Sequence, residues 1–173
     1  MKNLIFLLIT MFSLTALAVD PTEGLPEAVK AKYQAMTAGE CQTDTPWGAE
    51  SFDLQGKANL YIVPCFLGAY QSGALAFTSD KFSNVQVVTV LSYDEIIQAV
   101  TATIDLMEPS FDPETMTLST YSKGRGLGDC GQTSTSKILV DDYGYVRVKT
   151  IEIRDKAECD GQYEDEWPVV FKQ

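Results

Sequence analysis

The residues of this 173-residue chain best suited to chemistry lie in one stretch, Lys123 to Gly131, which reads KGRGLGDCG. Gly124, Gly126 and Gly128 alternate around Arg125. Successive backbone N–H groups in such a run form an anion nest, to which Lys123 and Arg125 add positive charge. The run is not a nucleotide P-loop, because the lysine precedes the glycines and no Lys-Ser/Thr pair closes them. The competing reading is structural: a multi-turn loop whose positive-φ positions demand glycine. Cys130 would clip it, and Asp129 would cap backbone N–H groups of the loop. The candidate binding loop is therefore Lys123, Gly124, Arg125, Gly126, Gly128 and Asp129.

Other constellations are weaker. Ser134 and Lys137 match the Ser-x-x-Lys pair of penicillin-recognising enzymes, but the Ser-Asp-Asn and Lys-Thr-Gly partners are absent. The match reads as chance in a Ser/Thr-rich loop, Thr133 to Ser136. Glu158, Asp160, Glu164, Asp165 and Glu166 form the densest acidic stretch. It lacks the alternating oxygen ligands of an EF-hand and reads as a solvated face rather than a calcium site. The chain has no His, which removes imidazole acid–base chemistry, His-based nucleophile systems and His-ligated metals. No CxxC pair offers a zinc site. No metal, cofactor or catalytic residue is assigned.

Thirteen Lys and Arg stand against 24 Asp and Glu, a net charge of −11. That balance opposes nucleic acid and anionic membrane surfaces, which both attract basic residues. Residues 1–18 read as a secretory signal peptide, with Lys2 as its positive start, an apolar run from Leu4 to Leu17, and cleavage after Ala18. The apolar run is short for a membrane span, so no stable anchor is expected after cleavage, and the location is periplasmic or secreted. Losing Lys2 leaves 12 cations against 24 carboxylates, or −12. An exported chain with four Cys should pair them. Of three connectivities the sequential one is favoured, Cys41–Cys65 and Cys130–Cys159, each loop contributing about 3.5 kcal/mol in the chain-entropy account.

The elements that must position the glycine run are mostly strands. Residues 19–40 read as an extended leader, Val19 to Gly24, followed by a helix from Pro26 to Ala38. The helix places Val29, Tyr33 and Met36 on one face and stops at Gly39. Residues 41–173 read as an antiparallel β domain. Strands are predicted over Leu60–Val63, Ala74–Thr78, Val85–Leu91, Val100–Leu106, Met116–Tyr121, Ile138–Val140, Tyr145–Arg154 and Trp167–Lys172. Ser92 to Glu95 matches a capping box opening a short helix over Tyr93–Gln98. Turns are predicted at Asp112–Thr115 and Asp141–Gly144. Val146 and Val148 lie on one phase of their strand and Ile151 and Ile153 on the other, which predicts a β-bulge near Lys149 and Thr150. The fold class is mainly β: a single-domain antiparallel β-meander, sandwich or barrel-like, with one N-terminal α-helix and two disulfides.

The KGRGLGDCG run, with Pro109, Phe111 and Asp112 before it, resembles the signature of a bacterial exported family known as domain of unknown function 1176. Cys159, Asp160 and Gly161, then Trp167 and Pro168, resemble its downstream element. Val63, Pro64 and Cys65 with Gly68, Ala69, Tyr70 and Gln71 resemble its upstream one, although Gln71 stands where the family has Asn. The family also has Trp after the GDCG segment, where Ser136, Lys137 and Ile138 stand here. The resemblance implies an exported bacterial protein. Charge then points to a binding or inhibitor-type module for a basic, lysozyme-like protein partner. The Lys123–Gly131 loop would be the segment inserted into that partner's cleft. The alternatives are a carboxylate-dependent hydrolase and a structural envelope factor; the reading leans away from an enzyme.

Overall fold

The run Leu60 to Val63 is apolar at every position because both of its faces are covered. In the computed structural model, which describes residues 19–38, 40–41, 45–163 and 166–173, these residues sit in the middle of three layers. The signal-peptide reading of residues 1–18, the stop at Gly39, and Glu164 and Asp165 of the acidic stretch lie outside the described residues.

The helix is α1 (Glu27–Thr37). The strands are β1 (Glu50–Leu54), β2 (Ala58–Leu67), β3 (Ser72–Asp80), β4 (Val85–Val87), β5 (Val90–Asp94), β6 (Ala99–Thr103), β7 (Leu106–Met107), β8 (Ser110–Asp112), β9 (Thr117–Lys123), β10 (Gly131–Val140), β11 (Val146–Lys156) and β12 (Val169–Lys172). All pairs are antiparallel. One sheet runs β1-β2-β3-β4, with β7 on β3; a second runs β12-β11-β10-β9-β8; β5 and β6 form a separate hairpin.

Side chains alternate across each strand. From β2 and β3, Leu60, Ile62, Ala74 and Ala76 face the second sheet and meet Leu118 and Ile138. Tyr61, Val63, Leu75 and Phe77 face the other way, onto Val29 and Tyr33 of α1. Tyr33 donates its hydroxyl to the Pro64 carbonyl at 2.9 Å and meets the Phe77 ring edge-on. A central strand buried twice cannot show period-two alternation, which is why these strands read as unbroken apolar runs. Pro64 is tolerated because β1 ends opposite Ile62 and the β2–β3 register shifts just after it.

The mainly β reading, the single helix, both disulfides and the two turns agree with the structure. The bulge also falls where the phase change requires. Thr135 pairs with Glu152 and Ser136 with Thr150, so Ile151 is the extra residue.

Five expectations are corrected. Val100–Leu106 is not one strand: β6 ends at Thr103 in the hairpin, and Leu106 opens β7, which pairs with β3 of the first sheet. Val19 to Gly24 is not extended: Asp20 accepts from Thr22 and folds the segment into a turn. Val85–Leu91 is not one strand, because β4 belongs to the first sheet and β5 to the hairpin, with Val88 donating to Ala76 between them. No helix covers Tyr93–Gln98. The Ser92 hydroxyl donates to Gln132 instead of capping, and Asp94 accepts from the backbone of Ile96 and Ile97 to close a β-turn. The β-branched residues that follow then pair as β6. Thr133 to Ser136 is strand, not loop.

Because Phe77 is fully buried between α1 and the first sheet, Phe77→Ala should cost about 3–5 kcal/mol in urea unfolding. A loss below about 1 kcal/mol would refute the helix as a core layer.

Candidate functional site

A hairpin loop joins β9 to β10, and it contains the glycine run. Its ends are paired, Lys123 with Gly131, and Gly124 donates to the Cys130 carbonyl at 2.9 Å. Gly128 donates to the Arg125 carbonyl at 3.0 Å. Both N–H groups are thus bonded within the loop. Gly128 and Gly131 have φ of 72° and 134°, whereas Gly126 is outside the positive region. A Cβ on Gly131 would stand 2.0 Å from the Ser122 carbonyl oxygen.

The two cations are also engaged. The Lys123 ammonium lies 2.9 Å from Glu108 and 3.0 Å from the Tyr70 carbonyl oxygen. The Lys123 N–H donates to the Gln71 side chain at 2.9 Å. Tyr70 and Gln71 are thereby tied to the glycine loop. Arg125 grips Asp129 through Nε at 2.8 Å and a terminal nitrogen at 2.5 Å. Asp129 does not face its own loop alone. Its side chain is fully buried and accepts the Gly161 N–H at 2.6 Å. The Arg125 hydrogen bond, with Gly161 adding to it, holds the Asp129 carboxyl far below the usual range. The Cys130–Cys159 disulfide runs beside this junction, so Tyr70 and Gln71, the glycine loop and the segment after Cys159 meet at one end of the second sheet.

Beyond the disulfide, the buried Lys156 side chain holds the chain by donating to Asp160 and the Gln162 carbonyl. Tyr163 reaches back and donates to the Leu127 carbonyl at 3.2 Å. A cleft of about 550 Å³ opens between the loops. Its floor is a row across three adjacent strands: Tyr121 opposite Thr133, and Thr133 opposite Arg154. Tyr163, Glu166 and Trp167 form its walls. The Tyr121 and Trp167 rings are 5.7 Å apart at 47°, and the Tyr121 hydroxyl is fixed on the Gly128 carbonyl at 2.8 Å. Arg154 is bonded to Glu152, Glu166 and the Trp167 carbonyl. Arg154 first, and Lys172 after it, keep the Glu152 carboxyl below its ordinary range.

The β5–β6 hairpin reaches the same end from the inner side. Leu91 donates to Thr150 and accepts from Ser134, while Tyr93 is bonded to Gln132 in both directions. The strand is therefore heading along β10 toward Cys130, and its turn, residues 95–98, projects beyond. Ile96 and Ile97 at that turn are 93% and 62% exposed.

Ser134 and Lys137 occupy opposite faces of β10, one bonded to Leu91 and the other to Thr115 and Thr117, so they do not act together. Among the described residues no three acidic or cysteine side chains converge as a metal site. Sequence reasoning missed the cleft row and the isoleucine tip. The row was legible as outward-phase residues once the strand registers were known. The tip was hidden by the capping-box match at Ser92.

Two measurements check this account. Gly131→Ala and Gly128→Ala should each lose more than about 1 kcal/mol, whereas Gly126→Ala should stay within about 0.5 kcal/mol. Equal losses at all three would refute the loop geometry. The depressed carboxyl of Asp129 contributes stability that is complete above about pH 4, the unfolded value, and is lost as pH falls toward the folded value. Urea midpoints of Asp129→Asn should therefore be lower at neutral pH and fall less steeply below pH 4 than those of the wild type. Parallel curves would contradict the buried pair.

No curated protein and no solved structure matches this chain. A family model does, over residues 13–173, and it takes in every segment that meets at the loop end; the chain belongs to the family described as Protein of unknown function (DUF1176).

Proposed function

We propose that this protein is an exported binding module that docks a basic, lysozyme-like protein at its loop end. The observation that carries the reading is the tip of the β5–β6 hairpin. Two adjacent isoleucines stand exposed there, directly after Asp94 and Glu95. Exposing them costs the free protein the hydrophobic gain of burial, and a partner's cleft recovers it. This tip, rather than the glycine loop, is the segment available for insertion, since Lys123 and Arg125 are bonded inside the protein.

Charge supports the same partner. Lys123, Arg125, Arg154 and Lys156 at the loop end each pair with a carboxylate. The loop-end cations are thus matched by local carboxylates, and the net charge of −11 favours encounter with a basic surface. Two disulfides suit an oxidising compartment, and no described helix is long and apolar enough to cross a membrane. The reading is one of binding rather than turnover: among the described residues, the carboxylates whose titration is displaced, Asp129 and Glu152 among them, are displaced downward, away from general-acid duty.

Association with a basic lysozyme should slow by at least tenfold as salt shortens the screening length from about 10 Å at 0.1 M to about 3 Å at 1 M. Ile96→Ser with Ile97→Ser should leave that slope unchanged and raise the dissociation rate about tenfold or more. A rate that is flat in salt for lysozyme and other basic exported proteins, or no binding to any of them, sinks the proposal.

A further inference from the structure

The cleft on the outer face of the second sheet is a separate feature from the isoleucine tip, and it has its own chemistry. Tyr121, Thr133 and Arg154 lie in register on β9, β10 and β11, so the strand ladder fixes their spacing. The Tyr121 hydroxyl is held by Gly128 and the Tyr163 hydroxyl by Leu127. Those bonds pin the rings. The Lys123 ammonium stands over one face of Tyr121, 5.6 Å from its centroid, and Tyr121 and Tyr163 line the cleft with what remains exposed. Trp167 stands against Tyr121 at an angle and gives the cleft a second aromatic wall. Arg154 spends Nε on Glu152 and Nη1 on Glu166 and the Trp167 carbonyl. Among the described residues, its Nη2 and the Thr133 hydroxyl have no protein partner.

The occupant follows by elimination. A phosphate or carboxylate ligand is disfavoured, because two carboxylates already neutralise the Arg154 guanidinium and the protein as a whole is acidic. A cationic ligand meets that same guanidinium on the floor. A wholly apolar ligand would strip water from Arg154, Glu166 and Thr133 without replacing the hydrogen bonds. What fits is a neutral molecule with apolar faces and a rim of hydroxyls. A pyranose ring offers C–H faces to Tyr121 and Trp167. Its hydroxyls can accept from Arg154 Nη2 and Thr133 and donate to Glu166. The volume of about 550 Å³ falls within the range of small-ligand sites and admits a disaccharide.

We propose that this cleft binds a neutral disaccharide unit of a glycan, with Tyr121 and Trp167 as its stacking platform and Thr133, Arg154 and Glu166 as its polar contacts. The proposal does not rest on the basic protein partner and survives if that reading fails.

The test uses Trp167 as its own reporter. In a Trp47→Phe protein the remaining tryptophan emission comes from the cleft. Titration with diacetylchitobiose, cellobiose and maltose should give a saturable change for at least one of them, at millimolar affinity or tighter, with the matching monosaccharide at least tenfold weaker. Thr133→Val, with an unchanged urea midpoint, should weaken that sugar about tenfold, and Arg154→Lys should weaken it at least as much. Two results would overturn the assignment: no saturable change with any of the three up to tens of millimolar, or binding that Thr133→Val and Arg154→Lys both leave intact.

Discussion

A buried carboxylate must be matched by donors and positive charge or it gives up its ionisation. Asp129 meets that demand from two directions, with the Arg125 fork from its own loop and the Gly161 N–H from the segment beyond Cys159. One acidic group therefore ties the glycine loop to the start of the segment that carries Tyr163 and Trp167. The Cys130–Cys159 bond ties the same two segments covalently. The two links divide the work. The disulfide limits how far the segments separate in the unfolded chain. The ion pair sets their orientation, because a guanidinium fork accepts a carboxylate in few geometries.

The two sheets carry different burdens. The first is covered on both faces along β2 and β3, by α1 on one side and the second sheet on the other. The second is covered on its inner face, so outward positions such as Tyr121, Thr133 and Arg154 are available. Its inner face is polar toward the loop end. Gln132, Ser134 and Thr150 meet the backbone of β5, doing for one edge of the hairpin what a neighbouring strand would do. Side-chain partners fix the hairpin's register against the sheet, and that register carries Ile96 and Ile97 to the loop end. The run Thr133 to Ser136, which looks like loop in sequence, is polar because alternate members serve this docking.

The sequence was readable where local chemistry and tertiary context agreed. Helix α1 shows its stripe because only one face is buried. The Asp112 and Asp141 turns show because their residues close them locally. The bulge at Ile151 shows because burial continues across a phase change. Legibility failed where context overrode the local signal. Ser92 and Glu95 match a capping box, yet Gln132 takes the Ser92 hydroxyl and the Ala99–Thr103 run prefers a ladder. Val85–Leu91 is uniformly β-prone, and nothing in its composition marks the step at Val88 from one sheet to another. The cleft was illegible for a different reason. It is made by register between distant strands, and a register is a property of pairs.

The acidic surplus and the near-neutral cleft are consistent with each other. An acidic surface sustains a field over a Debye length, about 8 Å at physiological salt, and that field acts on partners before contact. Inside the cleft the relevant distances are those of hydrogen bonds, where Arg154 is compensated by Glu152 and Glu166. On the proposed reading, long-range charge would act on an approaching macromolecule, while short-range complementarity would decide what the cleft retains. An uncompensated Arg154 would have made the cleft an anion site at odds with the surrounding potential. Compensated, it becomes a planar donor held in place, and a neutral, hydroxyl-rich ligand loses least on leaving water for it.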